Sequence, residues 1–195
     1  MDITVVTVLK SGGIYLPEHV HRLKAQVGLH QPRARFVCLS DLALDCETIP
    51  LKHNYAGWWA KIELFRPGLF SGHVVYLDLD TDVVGSLDPL VRDNFTMLSD
   101  FYKPAQPASG VMAWSGDAPE NVYDVFKGDP QDWMNRYKTA ARWGDQGFIR
   151  DFCNCPIQRF GPEVCSYKVH VVRGKGIPAG ASVVAYHGKP KPWEV

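Results

Sequence analysis

Nothing in the 195 residues pulls the chain toward a polyanion: 21 basic side chains balance 21 acidic ones, leaving no net field to attract nucleic acid or an anionic membrane. Long apolar runs are also missing. No uncharged stretch approaches the roughly 20 residues that a bilayer crossing needs. The opening MDITVVTVLKSGG has no basic segment ahead of an apolar one and no small-residue cleavage site. These absences read as a cytoplasmic, untargeted protein without a membrane span. Cysteine is scarce, and a count of five is odd, which argues against the paired disulfide framework of small secreted domains. Cys153, Cys155 and Cys165 offer a CxC and one distant thiol with no fixed fourth ligand, less than a zinc site requires. No internal repeat, low-complexity tract or linker divides the chain, so residues 1–195 are read as a single domain. A hydrophobic share of 46% is enough to give that domain a sizeable core.

What is present is an alternation of strand-like and helix-like segments. Ile3 to Leu9 is an apolar, β-branched run that stops at Ser11-Gly12-Gly13, the pattern of a buried strand followed by a turn where a nucleotide could sit. Pro17 opens a stretch with Val20, Leu23, Lys24 and Val27 at helical spacing, which Gly28 is placed to end, and Arg35 to Leu39 is a second short apolar run. Strand, helix and strand in that order predict a βαβ unit and a parallel sheet. Trp59, Ile62 and Phe65 predict one helix face, with Pro67-Gly68 as its stop. Val74 to Leu77 is the most apolar strand; Gly110 to Trp114 and Val183 to Tyr186 add others. Glu120 to Phe126, Gln131 to Tyr137 and Gln146 to Phe152 predict helices. The expected class is α/β, a Rossmann-like domain with a mixed, mainly parallel central sheet.

Asp78-Leu79-Asp80-Thr81-Asp82 follows the most apolar strand directly, and open α/β sheets bind their ligands beyond the carboxyl ends of their strands. Carboxylates this close repel one another when partly buried unless a cation compensates them. A hard divalent ion such as Mn²⁺ or Mg²⁺ takes oxygen ligands and keeps room for phosphate oxygens, so Asp78 and Asp80 are candidate metal ligands. Asp82 and Asp88 are equally read as turn-capping residues. A strand ending in DxDxT is also the pattern of haloacid-dehalogenase-like phosphatases, in which Asp78 would be the nucleophile and Asp80 the general acid. Thr81 stands one place early for that pattern, and no later Lys with an acidic pair accompanies it.

The C-terminal His187-Gly188-Lys189-Pro190-Lys191-Pro192-Trp193 discriminates between these readings. YLDLDTDVVGSLDPL and HGKPKPW together resemble the GT-A-fold glycosyltransferases of the family-8 type, which include glycogenin and bacterial lipopolysaccharide galactosyltransferases. The resemblance implies a nucleotide-sugar-binding domain in which Asp78, Asp80 and His187 hold Mn²⁺ (or Mg²⁺), while Gly188 and Lys191 contact the diphosphate. His187 stands directly beside Gly188, where the family usually has two intervening residues. Ser109-Gly110-Val111-Met112 resembles the family's SGVM strand, Asp145-Gln146 its DQ motif, and Lys61 its basic donor-binding residue. The resemblance further implies transfer from a nucleotide-sugar, a UDP-sugar for preference, to a glycan, lipid-linked or protein acceptor. Anomeric configuration would be retained, with Asp145 and Gln146 near the reacting carbon. A non-catalytic nucleotide-sugar-binding protein is the remaining alternative. Five of the six tryptophans, Trp58, Trp59, Trp114, Trp143 and Trp193, are candidates for sugar stacking or for packing. His19 and His21, two apart on a helix, point to different faces and do not form a ligand pair.

Overall fold

A computed structural model of the chain describes residues 3–116 and 119–195. It begins with β1 (Ile3–Leu9), α1 (Pro17–His30), β2 (Arg35–Ser40) and β3 (Glu47–Pro50), then a 3₁₀ helix over Gly57–Phe65. β4 (His73–Leu77), β5 (Thr81–Val83), β6 (Thr96–Ser99) and β7 (Pro107–Ser115) follow. Next come α2 (Asn121–Gly128), α3 (Pro130–Arg136), the small hairpin of β8 (Lys138–Thr139) and β9 (Arg142–Trp143), and α4 (Gly144–Phe152). The chain closes with β10 (Gln158–Arg159), β11 (Val164–Ser166), a π-helical turn over Tyr167–Val172, and β12 (Val183–Ala185).

The main sheet has seven strands in the order β10-β6-β7-β4-β1-β2-β3. β1 lies parallel to both β2 and β4, β2 to β3, and β10 to β6, whereas β7 runs antiparallel to both β4 and β6. The expected mixed, mainly parallel sheet is therefore observed. Because β1 is flanked by strands and covered on both faces, its side chains divide with period two between two cores. Ile3, Val5 and Leu9 pack with Val20, Leu23 and Val27 of α1, while Val6 packs with Trp59, Ile62 and Phe65 on the opposite face. A three-stranded sheet, β11-β12-β5, ties the C-terminal segment to the chain just beyond β4.

One local expectation needs correction, and another gains detail. Gly28 does not end α1: the helix continues to His30, and the Gln31 N–H closes it on the Val27 carbonyl at 2.7 Å. The Gly57–Phe65 segment winds as a 3₁₀ helix. Trp59, Ile62 and Phe65 recur every three residues, the 3₁₀ period, so one narrow edge carries all three into the core. The segment is buried almost all round from Trp59 onward, and Glu63 within it accepts from the backbone N–H groups of Lys52 (2.7 Å) and His53 (2.9 Å). Lys61, on the same segment, is buried with it.

Phe148 of α4 is fully buried against Trp59, Phe126, Trp133, Tyr137 and Phe152. Truncating such an aromatic removes its transfer free energy and leaves a void, so Phe148→Ala is expected to destabilise the fold by about 3–5 kcal/mol. Chemical denaturation of the variant beside the parent measures it; a loss below about 1 kcal/mol would show that this cluster is not a cooperative part of the core.

Candidate functional site

β1 and β4 are adjacent and parallel, so the chain leaves both at the same sheet edge, with Lys10 beyond one and Asp78 beyond the other. β7 runs the opposite way and brings its early residues to that edge: the Asp78 N–H donates to the Gly110 carbonyl at 2.9 Å. A side chain at Gly110 would meet the Asp78 carboxylate, the Cβ position lying 3.4 Å from Oδ2, so the glycine keeps room for that group. β12 pairs with β5, which places His187 and the residues after it over the same opening. These elements enclose a cavity of about 610 Å³, within the usual size of a ligand pocket.

Lys61, Asp78, Asp80, Asp145, Gln146, His187, Gly188 and Lys191 all line this cavity, although 130 positions separate the first from the last. Every residue singled out from the sequence for the site is thus brought to one place. Asp82 and Asp88 are not part of it. Asp82 pairs with Arg22 and accepts from Gln26 (2.8 Å), and Asp88 accepts from Gln31 (2.9 Å), so both fix α1 to the segment after β4, in keeping with a structural role.

Two ion-pair groups organise the cavity wall. In the first, buried Lys61 lies 3.0 Å from Asp78 and 3.2 Å from Asp145, and donates to Ser109 Oγ at 3.1 Å, while the Ser109 hydroxyl donates to Asp145 at 2.6 Å. Tyr76 donates to Asp78 Oδ1, the oxygen that Lys61 also approaches. In the second, Lys191 reaches Asp80 at 2.5 Å, and the Tyr15 hydroxyl donates to the same carboxylate at 3.0 Å. Burial pushes Asp78 up to about 6; Lys61 opposes the shift and the neighbouring Asp80 adds to it. Burial works to lower Lys61, but Asp145 and Asp78 outweigh it and hold the ammonium charged. Tyr15 is pushed up by burial and then by Asp80 and Asp78, so it stays a hydrogen-bond donor.

His187 opens onto the cavity with its Nε2 2.7 Å from Ser166 Oγ and its ring stacked on Phe101. Burial and then the positive charge of Lys168 lower its pKa, which keeps the imidazole in the neutral form that can ligate a metal. Among the described residues, no three His, Cys, Asp or Glu side chains are gathered closely enough to hold a metal ion as they stand. Asp78 and Asp80 are engaged by lysines and His187 by Ser166. The donor chemistry of these three side chains, two carboxylates and one imidazole opening onto one cavity, fits Mn²⁺.

The tryptophans divide by position. Trp59 and Trp114 are core residues, and Trp193 stacks on His19 of α1 at 3.7 Å, pinning the C-terminal segment and with it Lys191. Trp58 and Trp143 line the cavity with about half of their surface exposed, 6.0 Å apart. Gly144 has φ +58°, and a Cβ there would stand 3.0 Å from the Trp58 indole nitrogen, so the glycine both permits the turn into α4 and seats Trp58. Sequence reasoning did not find Tyr15 or Tyr76, because a tyrosine beside a carboxylate has no sequence pattern of its own. Cys153 and Cys155 end α4 with sulfurs 3.0 Å apart, whereas Cys165 packs with Val184 and Tyr186 in a separate cluster, so the three do not form one site. No helix among the described residues is long and apolar enough to cross a membrane.

The architecture matches known glycosyltransferases. Galactosyltransferase LgtC, solved in complex with donor and acceptor sugar analogs, superposes with a TM-score of 0.68 at 17% identity, over 99% of this chain and 89% of that one. The glycosyltransferase GlyE of Streptococcus pneumoniae TIGR4 gives 0.62 at 13% identity, over 97% of this chain. The chain spans only about half of GlyE, 55% of its length. No family model matches the sequence, and no curated protein matches it. At these identities the likeness establishes the fold alone: the chain has the GT-A-like architecture of these glycosyltransferases.

Proposed function

We propose that the chain is a glycosyltransferase that moves a sugar from a nucleotide-sugar, a UDP-sugar for preference, to a carbohydrate-bearing acceptor, with retention at the anomeric carbon. The observation that carries this reading is the convergence of both aspartates of the DxD, His187-Gly188, Lys191, Lys61 and Asp145-Gln146 on one cavity at the carboxyl edge of a glycosyltransferase-type sheet. A phosphatase using Asp78 as nucleophile fits less well, because that carboxylate is already engaged by both Lys61 and Tyr76.

In this reading the cavity has a phosphate end and a transfer end. Lys191 and the Gly188 amide neutralise the diphosphate, where negative charge grows as the sugar departs. Preorganised donors at such a point are often the largest catalytic contribution, a single one being worth about 3 kcal/mol. A divalent ion held by Asp78, Asp80 and His187 would, when bound, add positive charge to the same leaving group. Mn²⁺ suits that donor set better than Mg²⁺, which favours an all-oxygen shell. Lys61 keeps Asp78 and Asp145 apart in charge and fixed in place. Gln146, half-buried beside Asp145 on the first turn of α4, would position or stabilise the reacting carbon. The acceptor would enter past the exposed Trp58 and Trp143 indoles, whose flat faces suit a pyranose ring.

Incubation with a panel of UDP- and GDP-sugars and Mn²⁺ tests the proposal. Slow release of nucleoside diphosphate is expected even without acceptor, and it should depend on the metal. Hydrolysis of simple phosphomonoesters with a phosphoryl group trapped on Asp78 would establish the phosphatase instead. Tight, metal-dependent nucleotide-sugar binding with no turnover in the presence of any glycan would establish a binding protein.

A further inference from the structure

Charge on the cavity wall is distributed unevenly. Of the three lysines that line the cavity, Lys61 is committed to Asp78 and Asp145, Lys191 to Asp80 and Lys10 to Asp41. A further lysine, Lys168, stands just outside that lining, beside Gly188, and makes no ion pair or hydrogen bond with any of the described residues. It is half-buried on the π-helical turn Tyr167–Val172, and its ammonium nitrogen lies 3.4 Å from the position a Cβ would take on Gly188. Gly188 has φ +74°, in the left-handed region, so its lack of a side chain serves both the turn and the approach of this ammonium group.

That placement is built into the fold. β11 pairs with β12 in parallel, Ser166 opposite Ala185, which brings the turn alongside His187-Gly188. Ser166 then locks the two together. Its hydroxyl oxygen accepts from the Val169 N–H at 3.0 Å and contacts His187 Nε2 at 2.7 Å, while the Ser166 N–H donates to His170 Nδ1 at 2.9 Å. An ammonium group with no counter-ion among the described residues is free to donate a charge-assisted hydrogen bond to any anion that enters beside Gly188. The anion this cavity is proposed to take is a diphosphate.

We propose that Lys168, beside the cavity at Gly188, is a diphosphate-binding residue, a cation free to meet a phosphate without first releasing a carboxylate. The inference rests on the nucleotide-sugar reading of the site. Lys61 and Lys191 must exchange one anion for another when a diphosphate arrives, so their net gain is small until a divalent ion takes over the aspartates. Lys168 gains a partner outright. It therefore carries most of whatever diphosphate affinity survives without metal.

Isothermal titration of the full chain with UDP and with inorganic pyrophosphate, each in chelator and in Mn²⁺, tests this against Lys168→Ala, Lys168→Gln and Lys168→Arg. A hydrogen bond to a charged group sets the expected scale, a loss of about ten- to a hundredfold for Ala and Gln in chelator. The loss should be smaller in Mn²⁺, and Arg should retain most of the parent affinity. Raising salt should weaken the parent more steeply than Lys168→Ala. Thermal melting of each variant confirms folding, and Gln, which keeps the stem length, guards against a packing defect in Ala. Unchanged UDP and pyrophosphate affinity in Lys168→Ala, with a parent that binds both, overturns the role of Lys168 alone. A parent that binds neither UDP nor pyrophosphate with or without Mn²⁺ overturns the nucleotide-sugar reading and the lysine's role with it.

Discussion

Asp80→Ala is expected to abolish Mn²⁺-dependent binding of UDP and to lower turnover by about a hundred- to a thousandfold, the scale set by removing one preorganised charge from a reacting site. The carboxylate is buried, and two groups from opposite ends of the chain meet on it: Tyr15 at 3.0 Å and Lys191 at 2.5 Å. Removing it takes away a candidate metal ligand and also frees Lys191, whose ammonium group is then held by little more than the Tyr15 hydroxyl at 3.3 Å. His187→Ala in parallel separates the two effects. It leaves the Lys191 pair untouched while removing the imidazole, so it should weaken Mn²⁺ binding with little change in metal-free UDP affinity. Metal and nucleotide titrations of both variants, with circular dichroism to confirm folding, give the answer. Mn²⁺-dependent binding that survives in Asp80→Ala would refute the metal assignment; parental metal affinity in His187→Ala would leave the aspartate pair without the histidine.

How much of this was legible in advance differs from residue to residue. The strands that build the site announced themselves, because β1 and β4 are buried on both faces and so read as unbroken apolar runs. The DxD stood out because charge follows such a run without a spacer. The link between Asp80 and Lys191, 111 positions apart, came only through resemblance, since no local physics connects the end of β4 with the end of the chain. Trp193 was legible as part of the motif, but not its work: it stacks on His19 and so anchors the segment that carries Lys191. The helix at Gly57–Phe65 was legible but its type was not, because apolar spacings of three and of three to four residues look alike over so short a stretch. Short strands such as β5 and β10 carry too few residues for periodicity to register. Lys168 had no sequence signature at all; only the pairing of β11 with β12 brings it to Gly188.

Lys61→Met should be among the most destabilising single substitutions in the molecule, at about 3–5 kcal/mol, because removing one member of a buried ionic group strands the others. Lys61 is 6% exposed and stands between Asp78 and Asp145, the latter also buried. Methionine keeps the apolar stem and its packing, so the loss isolates the charge. Asp78 is already pushed up to about 6 with the lysine present, and without it neither carboxylate keeps its cation, Asp145 retaining the Ser109 hydroxyl and Asp78 the Tyr76 hydroxyl. A double variant, Lys61→Met with Asp145→Asn, should recover part of the loss, and the coupling between the two positions measures how strongly they share charge. Mn²⁺ provides the second arm. If Asp78 is a metal ligand, the ion replaces the missing positive charge, and binding to the folded state alone raises stability by about 2.7 kcal/mol at a hundred times its dissociation constant. Mn²⁺ should therefore raise the melting temperature of Lys61→Met by more than it raises that of the parent. A loss below about 1 kcal/mol in Lys61→Met would show that the aspartates do not depend on Lys61, and equal Mn²⁺ stabilisation of variant and parent would show that the ion does not take its place.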